Sequence, residues 1–297
     1  MASTTRTVAA RRGWVASKAR RRQVSIVVRY IALTLFAIMY AMPFLWMLSV
    51  AFKPDTELNL IPPRLIPSHL QFSNFPDALL KPSMYFPRFF LNSTIYVVLA
   101  VTGELIVSAI TAYGFARIPF RGSGILFALV LSTMMLPSQV TLIPQYLLFK
   151  QLGWLNSLKP LIIPSWFGAA FYIFLFRQFF LTIPRELDDA ALIDGANHLD
   201  ILWRIIMPLS VPVIITCVAL GIVARWNDFF GPLIYINSTE KTVVAVALTF
   251  FIIPGQPSPQ NLLMAAAVVS VIPVIVIFLV LQDYFAQGVT LTGLLEG

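Results

Sequence analysis

PRELDDAALIDGANHLDILWRIIMP, Pro184 to Pro208, is the stretch that decides this chain. Five of the 13 acidic residues of the protein lie between Glu186 and Asp200, with long apolar runs on either side. A chain that spends so few charges elsewhere and gathers them here uses this segment to meet something in water. Glu186, Asp188 and Asp189 complement the positive end of a helix that Pro184 can open as its first residue. Leu187, Ala190 and Ala191, at i, i+3 and i+4, give that helix one apolar face. Gly195 permits the turn that ends it. Asn197 then caps a second helix, with Leu199, Leu202, Trp203 and Ile206 predicted to share a face. The expectation is a short helix–turn–helix on a membrane surface, leading straight into the next apolar run.

Bulk composition sets the medium around this segment. The 297 residues are 58% hydrophobic and 11% charged, with a mean hydropathy of +0.82. A soluble domain carries about 25% charged residues, so lipid is the solvent that fits. Six windows are long enough to cross it, each needing about 20 apolar residues: 26–51, 89–115, 123–148, 160–182, 205–225 and 262–285. The third is interrupted by Pro137 and Pro144. Val243–Phe251 is too short and is expected as a surface or re-entrant helix. The fold class is therefore an all-α polytopic membrane protein: a basic arm over residues 1–25, a transmembrane domain over 26–297, and the loop 184–208 between spans four and five.

The formal charge of +8 does not point to nucleic acid, because eight cations from Arg6 to Arg29 precede the first acid, Asp55. Such a block beside an apolar run sets topology and suits contact with anionic lipid. With the N-terminus inside, thirteen of the 21 Lys and Arg residues fall on the cytoplasmic side. That bias places both termini and the acidic loop in the cytoplasm. The run Val24–Phe52 is longer than a signal-peptide core and is read as a retained span. Cys217 has no disulfide partner, and two histidines offer no metal cluster.

The order Asp189-Ala190-Ala191, Asp194-Gly195-Ala196 and the close at Ile205–Pro208 resembles the EAA loop of ABC-transporter importer permeases. Further segments resemble the carbohydrate-uptake permeases of the maltose type: Met135–Pro144 with Gln145–Phe149, Arg177–Phe180 before Ile183-Pro184, Trp226–Leu233, and the tail from Tyr284. The resemblance implies a type I importer permease in a prokaryotic inner membrane, with Glu186, Asp189, Ala190, Ala191, Asp194, Gly195 and Ala196 docking a cytoplasmic ATPase. It also implies a second permease, a dimer of ATPase subunits holding ATP and Mg, and an extracytoplasmic binding protein. The chain itself contains no G-x-x-x-x-G-K-[ST] phosphate loop, so no cofactor and no catalytic residue is expected on it. The cargo class implied is a carbohydrate; another small solute is the alternative.

Several residues outside the loop are candidates for the translocation pathway. Glu104 stands alone deep in span two, where an ionisable group is costly; an interhelix bond and a pathway role both fit it. Asn92 shares that span with Ser93, Thr94, Ser108 and Thr111, which suit interhelix hydrogen bonds. Trp226, Asn227, Asp228 and Tyr235 suit either a sugar-binding vestibule or an interfacial aromatic belt. A secondary transporter would show an inverted repeat or paired intramembrane charges, and neither is evident in the sequence. An intramembrane enzyme would need a dyad that Glu104 alone does not supply.

Overall fold

The computed structural model describes the backbone of residues 3–81, 85–252 and 259–293, and their side chains apart from those of 3–22, 24, 138 and 283–293. Among the described residues every regular element is helical. Helix α1 (Ser3–Ala51) carries the basic arm and the first span in one piece. Phe86–Arg117 (α3), Lys159–Thr182 and Gln260–Gln282 are also long and apolar enough to cross a membrane. The last of these lies within α14 (Gln260–Gly293). Two bent helix pairs bring the number to six if each counts as one span.

The first bent pair corrects the third window. Residues 123–148 are not one rod. Helix α4 (Ser123–Ser132), extended by a 3₁₀ turn to Met135, meets α5 (Ser138–Gln151) at 95°. Leu136 and Pro137 stand in extended backbone between them, as the residue before a proline prefers, whereas Pro144, also expected to interrupt, lies within α5. The fifth window is corrected too. The helical segment His198–Leu209 meets α11 (Val211–Trp226) at 81°, so residues 205–209 belong to the loop's second helix. The fourth span is also broken: α6 (Lys159–Ile162) runs as 3₁₀ to Phe167, then Gly168 at φ +79° starts α7 (Ala170–Thr182).

Helix α3 is the hub, and its small residues explain why. Ala100, Ser108, Ala109 and Ala112 have no exposed surface, which lets α7 and α11 lie close. In lipid, close packing rather than water expulsion holds helices together. Gly103 takes this furthest: a Cβ there would sit 2.4 Å from the Trp166 ring. Phe176 and Phe180 of α7 are wholly buried against this stripe, while Phe171 is exposed. The serines of α3 bind across helices as expected: Ser93 Oγ accepts from the Val244 amide and Ser108 Oγ from the Ala169 amide. Thr94 and Thr111 instead donate to carbonyls four residues back in their own helix.

Val243–Phe251 is not a surface helix. Residues α13 (Val244–Ala247) and the 3₁₀ turn after it lie inside the fold, with Val244, Ala247 and Phe251 buried. The Pro-rich loop after α1 is a packed structure rather than a plain tether. Asn74 of α2 (Asn74–Leu79) donates to the carbonyls of Ala51 and Lys53, and Asn261 of α14 reaches Asp55 Oδ1 at 2.7 Å. The tail residues Leu294–Gly297 lie outside the described residues.

Candidate functional site

The acidic stretch folds into an elbow of two helices. Helix α8 (Glu186–Ile193) is opened by Arg185, whose carbonyl accepts from the Asp188 and Asp189 amides, so Pro184 lies ahead of the helix rather than in it. It ends as the sequence predicts. Gly195 adopts φ +85°, its amide donates to the Leu192 carbonyl, and the Ala196 amide returns to Ala191. These two bonds form a Schellman closure, which favours glycine at the left-handed position. Asn197 then caps α9 (His198–Ile201): its Oδ1 accepts from the Leu199 and Asp200 amides, and Asp200 Oδ2 accepts from the Asn197 amide. A wide π-type turn, Leu202–Ile206, carries the segment into α10 (Met207–Leu209).

The inward face of the elbow is not the one expected. Ala191 is buried and Asp188 half-buried beside it, while Leu187 and Ala190 face outward. Helix α8 thus turns its Asp188–Ala191 edge to the protein, because a buried cation waits there. In the second helix Ile201, Leu202 and Ile206 are buried, whereas Leu199 and Trp203 are exposed. Ile201 takes the inward place assigned to Leu199. Of the expected docking set, Glu186, Asp189, Ala190, Asp194 and Gly195 are exposed. Ala191 packs into the core and Ala196 is half-buried against it, so the alanine pair does not present a common outer face.

The buried cation is Arg117, the last residue of α3, which the sequence offered only as one of the positive-inside charges. Its side chain is 2% exposed. One Nη2 donates to the carbonyls of Phe180 and Ile183 at 2.7 and 2.8 Å, closing the end of α7. Its Nε lies 3.5 Å from Asp188 Oδ2. Burial pushes the Asp188 carboxyl above its ordinary range, with Arg117 pulling the other way. Neither Arg117 Nε nor Asp188 Oδ1 has a hydrogen-bond partner, so this is an offset, incompletely satisfied ion pair. Nearby, the Tyr113 hydroxyl meets His198 Nδ1 at 3.2 Å and Arg185 reaches the Ala116 carbonyl at 3.5 Å. Three elements, the ends of α3 and α7 and the start of the elbow, meet at one guanidinium.

The second assembly is a cavity of about 380 Å³ between α3, α5, α6 and the segment after α11. Glu104 lines it and is not alone: Arg225, in the last turn of α11, donates to Glu104 Oε1 at 2.9 Å. Glu104, the lone acid of its own span, is thus paired across helices, one of the two roles open to it from the sequence. The same guanidinium reaches Tyr96 Oη at 3.5 Å, and Tyr96 donates to Asp228 Oδ2 at 2.7 Å. Asp228 Oδ1 accepts from the Gly231 amide, fixing the carboxylate at the start of α12 (Phe230–Tyr235). Gln145, Phe149 and Tyr235 complete the wall.

The pathway candidates divide accordingly. Glu104 and Asp228 share this cavity. Trp226 and Asn227 line a separate hollow between α11, α13 and α14. Trp226 is buried there, its indole donating to the Ser270 carbonyl, and Asn227 donates to the Val223 carbonyl of its own helix. Asn92 donates to the carbonyls of Glu240 and Thr242 and so ties down the loop before α13. Tyr96 and Arg225 were not predicted; a lone Arg at a helix end and a Tyr in an apolar span carry no distinguishing local signal.

The fold and these two assemblies define a class: a polytopic helical membrane protein with an exposed polar elbow between spans. Residues 104–291 match the family described as "Binding-protein-dependent transport system inner membrane component". The arabinooligosaccharides transport system permease protein AraQ of Bacillus subtilis is 33% identical, over 89% of this chain and 95% of its own length. The trehalose/maltose transport system permease protein MalG of Thermococcus litoralis is 31% identical over 89% and 94%. A chain of a bacterial ABC transporter "involved in the import of the acidic polysaccharide alginate" superimposes with a TM-score of 0.79 at 27% identity, covering 89% of this chain and 97% of that one. The protein belongs to this family of binding-protein-dependent inner-membrane components, as a multi-pass ABC-transporter permease.

Proposed function

We propose that the chain is one membrane half of an ATP-driven carbohydrate importer, with six spans and both termini in the cytoplasm. The carbohydrate reading draws on the relatives, whose names specify arabinooligosaccharides and trehalose/maltose. A sibling permease completes the pathway, an extracytoplasmic protein delivers the sugar, and two ATPase subunits bind ATP and Mg. The elbow of residues 184–209 lies on the cytoplasmic face and docks an ATPase subunit through Glu186, Asp189, Ala190, Asp194 and Gly195. Nucleotide can bias the spans only if its bound form favours one of their arrangements, so the elbow must be firmly joined to them. The observation that carries the reading is the Arg117 joint, which binds the elbow to the ends of α3 and α7. The 81° corner at Ser210 adds α11 to the same lever.

The test is uptake of labelled sugar by cells expressing Gly195→Pro or Asp189→Lys. Proline cannot adopt φ +85° and lacks the amide that Leu192 accepts. Both variants should insert into the membrane at ordinary levels and transport nothing. Full transport in either would refute docking through this elbow.

A further inference from the structure

Resting on the carbohydrate-import reading, we infer that the Glu104–Arg225–Asp228 cavity is a saccharide subsite that admits uncharged sugar units and rejects acidic ones. Two carboxylates and one guanidinium line it, leaving one formal negative charge in excess. Lys150 and Lys159, which adjoin the lining residues Phe149 and Pro160, are exposed and do not line the cavity. Charge inside such a site is poorly screened, so its sign is felt at close range.

The bonding pattern points the same way. A uronate entering the cavity would need a cation, and the only one present is occupied. Arg225 is held by Glu104 at 2.9 Å and turned toward Tyr96 at 3.5 Å. Releasing it would leave Glu104, 8% exposed, as an unpaired acid deep in α3. A neutral sugar meets no such conflict. Its hydroxyls are donors, Glu104 and Asp228 are acceptors, and Gln145 serves as either. Phe149 and Tyr235, ring centroids 5.3 Å apart, supply the apolar wall against which a sugar face rests. The volume lies within the range of small-molecule sites, about 300–1,000 Å³. The superimposed importer of acidic alginate shares the fold; the charge of this cavity separates the present chain from that cargo.

A single reporter thiol reads the cavity's charge without transport. In the assembled permease–ATPase complex, Cys217 is replaced by Ser and Gln145 by Cys. The thiol is then treated with a cationic trimethylammonium-ethyl or an anionic sulfonatoethyl methanethiosulfonate, each rate normalised to a free thiol. The cationic reagent should react at least about tenfold faster, and Asp228→Asn should shrink that ratio by about threefold or more. A neutral gluco-oligosaccharide should slow both reactions, and a uronate oligosaccharide of equal length neither. Equal rates, an anionic preference, no reaction with either reagent, or equal protection by both sugars overturns the inference. If the cationic preference holds while cells import no saccharide at all, it is the carbohydrate reading that fails.

Discussion

Two arginines, one at the end of the helical hub and one packed beside its middle, do opposite things with the same group. Arg117 is 2% exposed and directs its guanidinium at two backbone carbonyls and one acid. Arg225 is 28% exposed, faces a cavity and holds one acid directly and a second through a tyrosine. The first is a joint: its partners are the carbonyls at the end of α7 and the Asp188 carboxylate of the elbow. The second is a lining: its partners are side chains that a solute can also touch. A charge in an apolar span signals function by default, but burial and the identity of the partners decide which kind.

The contrast is broken most directly by truncation. Arg117→Ala strips the end of α7 of its donor and leaves Asp188 half-buried without a cation. Removing one member of a buried pair costs about 3–5 kcal/mol, so thermal unfolding of the purified complex should drop sharply and uptake should vanish. Glu104→Gln is expected to be milder. Arg225 keeps an amide acceptor and partial access to water, and the loss should be about 1.5–3 kcal/mol, with sugar uptake changed more than melting temperature. If the two substitutions cost the same, the distinction between joint and lining is lost.

Gly195→Ala is smaller still. No atom lies within 4 Å of the added Cβ, so only the left-handed backbone is strained, at about 1–2 kcal/mol. Uptake should fall in proportion, with the nucleotidase activity of the complex retained. Asp188→Asn has the least effect on stability at neutral pH, because burial already opposes its charge. Its raised carboxyl carries a definite sign. The folded protein holds that proton to higher pH than the unfolded chain, so stability is fullest below the ordinary value of 3.8 and falls as pH rises through the raised folded value. Melting temperature recorded across acidic pH should show this decline in the wild type, and a flatter curve in Asp188→Asn. An unchanged slope would place the titration elsewhere.

The elbow was legible because its signals are local. A left-handed glycine, an Asn cap and an acidic first turn are each written within a few residues, and each appears where the sequence put it. Which face turns inward was not legible: Asp188 points in and Leu187 out because Arg117 arrives from 71 positions away in the chain. The break at Pro137 was signalled by the proline, though not its 95° angle, whereas the corner at Ser210 was hidden in a run apolar enough to read as a straight span. Glu104 looked isolated for the same reason, its partner lying 121 residues downstream. Local chemistry fixes turns and caps; long-range charge pairing fixes orientation, and one sequence does not display it.

The most direct test of the central claim, that the elbow is the docking piece for an ATPase, is protection of one thiol. With Cys217 replaced by Ser and Asp189 by Cys, inside-out vesicles stripped of ATPase subunits are treated with a membrane-impermeant maleimide, before and after those subunits are added back. The account predicts rapid labelling of the stripped vesicles and protection once the ATPase returns. Labelling of intact cells from outside, or labelling indifferent to the ATPase, would contradict it.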